Sequence, residues 1–252
     1  MLLAIDMGNT QTGLGLFDGD ALAYAWRMPT DRSFTADELH MYGLSLDCID
    51  TVAFAGVVPQ LSREWEQAAR RITERTIAVG SATAQVTKLR APNPAEVGAD
   101  RIANAVAAET CYGAPAIVVD FGTATNIDVV DADGYYIGGA IAPGLRISMD
   151  ALVARAARIA SIPLDVPERA IGRTTTEAVQ SGAILGTAAM VEGLVARIRR
   201  ELEAPEACVI ATGGLAGLVA NATDAFDVVD QQLTLKGIAE IARRMGMFES
   251  AE

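Results

Sequence analysis

Asp6-Met7-Gly8-Asn9-Thr10-Gln11-Thr12 and Asp120-Phe121-Gly122-Thr123-Ala124-Thr125 are two versions of one pattern, and what surrounds them repeats as well. An apolar run precedes each, Leu2–Ile5 and Ala116–Val119, and each run has the make-up of a buried strand. A second strand pattern follows (Gly13–Phe17, Ile127–Val130). Then come an Asp-Gly turn (Asp18-Gly19-Asp20, Asp131–Gly134) and a third strand pattern (Ala21–Arg27, Tyr135–Ala140). Asp-Gly between strand patterns signals a hairpin, because glycine accepts the positive φ that tight hairpin turns need. Self-similarity of this kind marks an internal duplication.

Outward from these hairpins, both halves alternate helices with short apolar strands. In the first half, Thr35-Ala36-Asp37-Glu38 reads as a capping box that opens a helix. Thr51–Val57 reads as a strand, Ser62–Glu74 as a helix and Thr76–Val79 as a further strand. Asn93-Pro94-Ala95-Glu96 combines an N-cap, a proline at the first helical position and an acid, so a helix is predicted from there to about Thr110. In the second half, Ile147–Ala160 reads as helix, and Thr174-Thr175-Thr176-Glu177 as another capping box. The helix that follows carries Ile184, Ala188, Val191, Val195 and Ile198 on one face. Strand Ala207–Ala211, the turn Thr212-Gly213-Gly214, strand Phe226–Val229 and a last helix from about Thr234 complete the half. The fold class this predicts is α/β, as two related domains facing each other across a cleft, residues 1–114 and 115–252. A single doubly wound sheet is the alternative, and the paired hairpins argue against it.

The loops after the first strands suit phosphate chemistry. Asp6 and Asp120 each stand at the end of a buried strand, where a glycine lets backbone approach a ligand closely. A carboxylate repels phosphate but can hold Mg²⁺, which bridges the two. Hydroxyls, the Asn9 amide and the turn N–H groups can donate to phosphoryl oxygens. The same residues also suit an ordinary capped hairpin turn; their occurrence in both halves favours the functional reading. No G-x-x-x-x-G-K-[ST] and no G-x-G-x-x-G after the first strand is present, which argues against a P-loop or a dinucleotide fold. Gly98-Ala99-Asp100-Arg101 offers an aspartate able to accept a hydroxyl proton and an arginine able to clamp an anion, or else a solvated pair on a surface helix. Gly138–Gly144 could lie along a substrate or simply join strand to helix. Thr212-Gly213-Gly214 could cradle a nucleotide or form a bare turn.

Composition narrows the partners. A formal net charge of −12 opposes binding to nucleic acid or anionic membranes, so a phosphate site must be built locally. No apolar run has the length of a membrane span and the N-terminus lacks the marks of a signal peptide, so a cytoplasmic location is expected. Cys48, Cys111 and Cys208 lack metal-ligand spacing and read as buried thiols. His40 is the one histidine, which rules out a multi-histidine metal site and suits an amphipathic helix.

Taken together, Asp6-x-Gly8-Asn9-Thr10, Pro94-x-Glu96-Val97-Gly98-Ala99-Asp100-Arg101-Ile102-x-Asn104-Ala105, Asp120-Phe121-Gly122-Thr123-Ala124-Thr125, Gly138-Gly139-x-Ile141-x-Pro143-Gly144 and Thr212-Gly213-Gly214 resemble, in the same order, the motifs of type III pantothenate kinases. The resemblance covers nearly the whole chain. It implies an actin-like fold of two ribonuclease-H-like domains, a homodimer, and ATP-dependent phosphorylation of pantothenate, the first step of coenzyme A synthesis. It implies that the stretch Asp6, Met7, Gly8, Asn9, Thr10, Gln11, Thr12 and Gly13 binds ATP phosphates with Mg²⁺ near Asp6, and that Thr123 contacts ATP. By the same resemblance Asp100 is the general base, Gly98, Ala99, Asp100 and Arg101 contact pantothenate, Asp120 helps bind a monovalent cation (K⁺ or NH₄⁺), and Thr175 reaches pantothenate from the neighbouring subunit. The chain departs from the family pattern over residues 79–92. It also departs at Asn126 and Thr174, where threonine and asparagine are common, and at Gly56, where serine is. Two other readings remain open on the residues: a non-catalytic paralogue that binds nucleotide or a partner and regulates, and a kinase for a different small alcohol or a polyphosphate-cleaving hydrolase of the same fold class.

Overall fold

The computed structural model describes residues 1–37, 48–56, 59–155 and 162–249. They divide into two compact units, 1–111 with 232–252, and 112–231.

The first unit is built on a five-stranded sheet. β1 (Leu2–Met7), β2 (Gln11–Asp18) and β3 (Ala21–Pro29) form an antiparallel meander, and β4 (Thr51–Gly56) and β5 (Thr76–Ala78) extend β1 in parallel, in the order β3-β2-β1-β4-β5. Strand alternation sends Leu3, Ile5 and Met7 to one face, where α1 (Pro59–Ile72) packs Leu61, Trp65, Ala68 and Ala69 against them. It sends Leu2 and Ala4 to the other face, against Ala99, Ile102, Ala103 and Val106 of α2 (Ala99–Tyr112). The C-terminal helix α7 (Leu233–Arg244) completes that face with Leu235, Ile238, Ile241 and Ala242. Gly237 lies so close to the Ala103 carbonyl that a Cβ there would be 1.8 Å from its oxygen, and Thr234 Oγ1 donates to the buried Asn104 Oδ1 at 2.8 Å. Arg244 then reaches Glu109 at 2.5 Å and Glu240 at 2.9 Å. These contacts place the chain's last helix in the first unit, a return that a division at residue 114 does not contain.

The second unit repeats the scheme. β6 (Ala116–Phe121), β7 (Ala124–Val130) and β8 (Tyr136–Pro143) are antiparallel, and β9 (Cys208–Thr212) and β10 (Val228–Val229) extend β6 in parallel. Read from the hairpin edge, β8-β7-β6-β9-β10 is the order of the first sheet strand for strand. The duplication predicted from the paired hairpins is therefore present, and with it the α/β class. Ile117, Val119, Phe121 and Ile127 face a core shared with α3 (Leu145–Arg155), α5 (Gly186–Glu201) and α6 (Ala216–Ala220). At the second hairpin turn the Asp131 carboxylate accepts the N–H groups of Asp133 (3.0 Å) and Tyr135 (2.9 Å), which closes the turn.

Several readings need correction or fall elsewhere. Asn93 caps nothing with its side chain; Pro94–Glu96 is one 3₁₀ turn, Val97 is extended, and α2 starts afresh at Ala99. Cys48 and Cys111 are exposed and Cys208 half-buried, so none is a core thiol; Cys111 lies in the last turn of α2 and Cys208 opens β9. The continuous helical stretch Thr175–Glu201 is, by length and composition, apolar enough to cross a membrane, contrary to the reading that no run was long enough. Its Ile184, Ala188, Val191 and Val195 are buried in the second unit's core. His40, the rest of the helix opened at Thr35, and the end of the helix predicted over 147–160 lie outside the described residues.

Candidate active site

In the first unit, β1 ends at Met7 and β2 begins at Gln11, so Gly8-Asn9-Thr10 is the connecting loop. The Gly8 N–H donates to the Gln11 carbonyl at 3.0 Å, and a Cβ on Gly8 would come within 2.9 Å of that oxygen. Thr30, just past β3, closes the loop from outside. Its hydroxyl donates to the Gly8 carbonyl at 2.8 Å and its N–H to the Thr10 carbonyl at 2.9 Å. Thr30 Oγ1 also lies 3.1 Å from Thr12 Oγ1; with its own hydrogen spent on Gly8, it accepts from Thr12. Thr12 and Met7 are thus turned into the protein, whereas Asn9, Thr10 and Gln11 are exposed. Thr30 carried no local signal: it is an unremarked threonine twenty residues from the loop it holds.

Asp6 belongs by alternation to the Leu2–Ala4 face, the one covered by α2. Gly13 is its cross-strand partner, with only 3.9 Å between the Asp6 Cβ and the place a Gly13 Cβ would take.

The start of α2 carries the next group. Asp100 lies in the first turn of the helix, where the unpaired backbone N–H groups favour a negative charge. Its Oδ1 accepts the Arg101 backbone N–H at 2.9 Å. Burial nevertheless pushes its pKa above the ordinary aspartate value, against the lowering effect of that N–H and of the Arg101 charge. A half-buried carboxylate with a raised pKa is a better proton acceptor than a solvated one. Arg101 is half-buried beside it.

The stretch before this turn is occupied by structural work. Ser81–Val86 forms a 3₁₀ helix, with Thr83 Oγ1 bridging the N–H and carbonyl of Gly80 (3.1 and 2.9 Å). Val86 and Leu89 pack on the core, and Lys88 Nζ reaches Glu109 at 3.0 Å.

In the second unit, three glycine motifs of the sequence converge on one loop. β6 ends at Phe121 and β7 begins at Ala124, leaving Gly122-Thr123 exposed between them. A Cβ on Gly144 would sit 2.1 Å from the Thr123 carbonyl oxygen. A Cβ on Gly213, whose φ is +91°, would sit 2.4 Å from Asp120 Oδ1 and 2.7 Å from the Phe121 backbone. The Thr212-Gly213-Gly214 turn is thus required, before any ligand arrives, to make room for the Asp120 carboxylate. Asn126 stands across from Asp120 in the β6–β7 register.

Thr174 is the N-cap of α4 (Thr175–Gln180): its Oγ1 accepts the Glu177 N–H at 3.2 Å, while Glu177 reaches back to the Arg173 N–H at 2.7 Å. Capping uses Thr174 and leaves Thr175 exposed at the first position of the helix.

No cluster of three His, Cys, Asp or Glu side chains able to hold a metal is present among the described residues. A single carboxylate such as that of Asp6 fits Mg²⁺ carried in with a nucleotide, which keeps most of its ligands from phosphate and water. The Asp120 carboxylate oxygens are likewise of the type that suits a hard monovalent ion.

A family model described as type III pantothenate kinase matches residues 2–197. A type III pantothenate kinase of Thermomicrobium roseum is 47% identical over 97% of this chain and 98% of its own. One of Parafrankia sp. is 49% identical over 94% and 96%. Among solved structures, a Campylobacter jejuni chain described as a Baf family transcriptional activator superposes with a TM-score of 0.64 at 19% identity, covering 98% of this chain and all of its own. Component A of the Acidaminococcus fermentans (R)-2-hydroxyglutaryl-CoA dehydratase gives 0.57 at 13%, covering 98% of each. At these identities the structural matches speak for the fold alone.

Proposed function

The chain belongs to the type III pantothenate kinase family, and on that premise we propose how its residues carry out the reaction. The enzyme transfers the γ-phosphoryl group of ATP to pantothenate, giving 4′-phosphopantothenate and ADP in the first step of coenzyme A synthesis.

Asp100 accepts the proton of the pantothenate primary hydroxyl as that oxygen attacks the γ-phosphorus. The bond from phosphorus to the β,γ-bridging oxygen breaks and ADP leaves. The observation that carries this reading is the first turn of α2: a half-buried carboxylate, one oxygen fixed by a backbone N–H, with burial raising its proton affinity. Arg101 and the Gly98–Ala99 backbone orient pantothenate beside it. The Asp6–Gly13 stretch holds ATP phosphates through the exposed Asn9, Thr10 and Gln11, and Thr123 contacts ATP. Asp6 would hold Mg²⁺ through phosphate or water, and Asp120 a monovalent ion (K⁺ or NH₄⁺); such ions supply charge neutralisation of the triphosphate when bound. Positioning and electrostatics provide most of the rate.

We place the enzyme in the cytoplasm, where exposed thiols such as Cys48 and Cys111 stay reduced. We propose a homodimer in which Thr175 of one chain serves the pantothenate site of the other. Two features support it: Thr175 is exposed, and the exposed face of the same helical stretch carries Gly182, Gly186 and Gly193, each with nothing within 4 Å of an added Cβ. The division of the duplication near residue 114, between the two hairpin-bearing halves, is proposed on the same strand-for-strand repeat.

A coupled ADP-release assay with the purified chain tests the proposal. Release that requires pantothenate and rises with added K⁺ is expected. Release without pantothenate marks a hydrolase, and none under any condition marks a non-catalytic nucleotide binder.

A further inference from the structure

Gly98 is the residue whose α-carbon ends the extended Val97 segment and opens α2. Its carbonyl accepts the Ile102 N–H at 3.1 Å, so it occupies the N-cap position. Its φ lies outside the left-handed region, so its backbone conformation is open to any residue. A Cβ added there would meet one obstacle. Asp100 Oδ1 would be 2.5 Å away, while the next atoms, Asp100 Cγ at 3.7 Å and Arg101 Cγ at 3.8 Å, are at ordinary contact distance. No backbone atom crowds the position. Gly80 and Gly113, by contrast, have positive φ and open space, so their need is conformational.

We infer that Gly98 is a positioning residue for the phosphoryl-transfer reaction, its bare α-carbon being the seat on which the Asp100 carboxylate folds back to reach the Arg101 N–H. The inference rests on the reading of Asp100 as proton acceptor and goes beyond a substrate contact at Gly98. With Oδ1 seated against Gly98 and fixed to the Arg101 N–H at 2.9 Å, Oδ2 is the oxygen left to take a proton. Any side chain at position 98 must push the carboxylate off both supports, toward solvent. A displacement of this order, on the ångström scale, costs a catalytic group roughly 10–10²-fold in rate.

The test uses Gly98→Ala and Gly98→Ser in the full chain, beside Asp100→Asn and the double variant Gly98→Ala/Asp100→Asn. Serine is a stronger N-cap than glycine and alanine a weaker one, so Tm is expected to rank Ser, Gly, Ala. Activity is expected not to follow that rank. Both Gly98 variants should lose about 10–10²-fold in kcat, with pantothenate KM nearly unchanged. The acid limb of their kcat profile should move to lower pH as the carboxylate leaves its buried seat, and the double variant should be no slower than Asp100→Asn alone. Retained kcat, a loss confined to KM, or a double variant slower by the product of the two effects overturns the inference. If Asp100→Asn is impaired while Gly98→Ala is not, the base stands and the seat falls. If Asp100→Asn turns over normally, the base reading itself is wrong, and the seat with it.

Discussion

The loop after β1 and the loop after β6 occupy the same place in two sheets of the same strand order, and each is closed by its own glycine N–H, yet their further supports differ. The first is tied by added groups: the Thr30 hydroxyl and N–H clasp Gly8 and Thr10, and Thr12 completes the chain of hydrogen bonds. The second is fitted by missing ones: Gly144 and Gly213 leave room that the Thr123 carbonyl and the Asp120 carboxylate fill. The register makes the contrast sharper. Gly56 faces Met7 at the end of β4 as Gly213 follows Thr212, the partner of Asp120, at the end of β9. A Cβ on Gly56 would meet the Ser62 hydroxyl at 2.3 Å and the Met7 methyl at 2.7 Å, both ends of side chains that can turn away. At Gly213 it would meet backbone and a carboxylate. Hydrogen-bonded loops tolerate small adjustments, while glycine-seated loops do not, and the ligand-facing residues divide accordingly. Exposed Asn9, Thr10 and Gln11 line the first loop, and the second exposes Gly122 and Thr123 beside the Asp120 carboxylate.

Three substitutions can break or sharpen that contrast. Gly213→Ala should have the largest effect. The alanine is strained at φ +91° and overlaps the Phe121 backbone, so a loss of about 3 kcal/mol or more is expected in urea unfolding, with activity lost through Asp120. Thr30→Val should cost about 1–3 kcal/mol by leaving the Gly8 carbonyl and Thr12 hydroxyl without their partner; ATP binding should weaken by calorimetry while the protein stays folded. Gly56→Ala should cost about 1 kcal/mol, because Ser62 and Met7 can move, and activity should stay near that of the unaltered chain. A Gly56→Ala loss as large as that of Gly213→Ala would mean that the two seats are equivalent and the contrast is empty.

The sheets were legible because hairpins and alternation are local signals. Asp18-Gly19 and Asp131–Gly134 mark turns, and the buried runs at Leu2 and Ala116 mark central strands. The repeat predicted that the halves match, but the order of strands within each sheet came only from the structure. The start of α2 was misplaced because Asn93-Pro94-Ala95-Glu96 has every local mark of a helix opening; Val97 then takes an extended conformation, and the helix begins only after Gly98. The same shift moves Asp100 from the middle of a helix to its first turn, where its chemistry makes sense. The motif glycines were readable as motifs but not as seats: that Gly144 faces Thr123 and Gly213 faces Asp120 is a matter of tertiary packing, which spacing does not encode. Thr30 and the closure of the first unit by α7 were hidden for the same reason, through contacts between residues far apart in the chain.

Asp100 offers the most direct test, since the raised pKa gives stability and catalysis opposite signs. In the folded chain its ionised form is disfavoured by burial, so this group favours folding at low pH and that contribution fades as pH rises through its folded pKa. Asp100→Asn should therefore unfold at a higher temperature than the unaltered chain at neutral pH. The decisive measurement is single-turnover formation of 4′-phosphopantothenate by Asp100→Asn, beside its ATP affinity. A rate lower by ~10²–10⁴-fold with ATP affinity nearly intact is the predicted result. Phosphorylation at the rate of the unaltered chain would remove Asp100 from the mechanism and contradict the account.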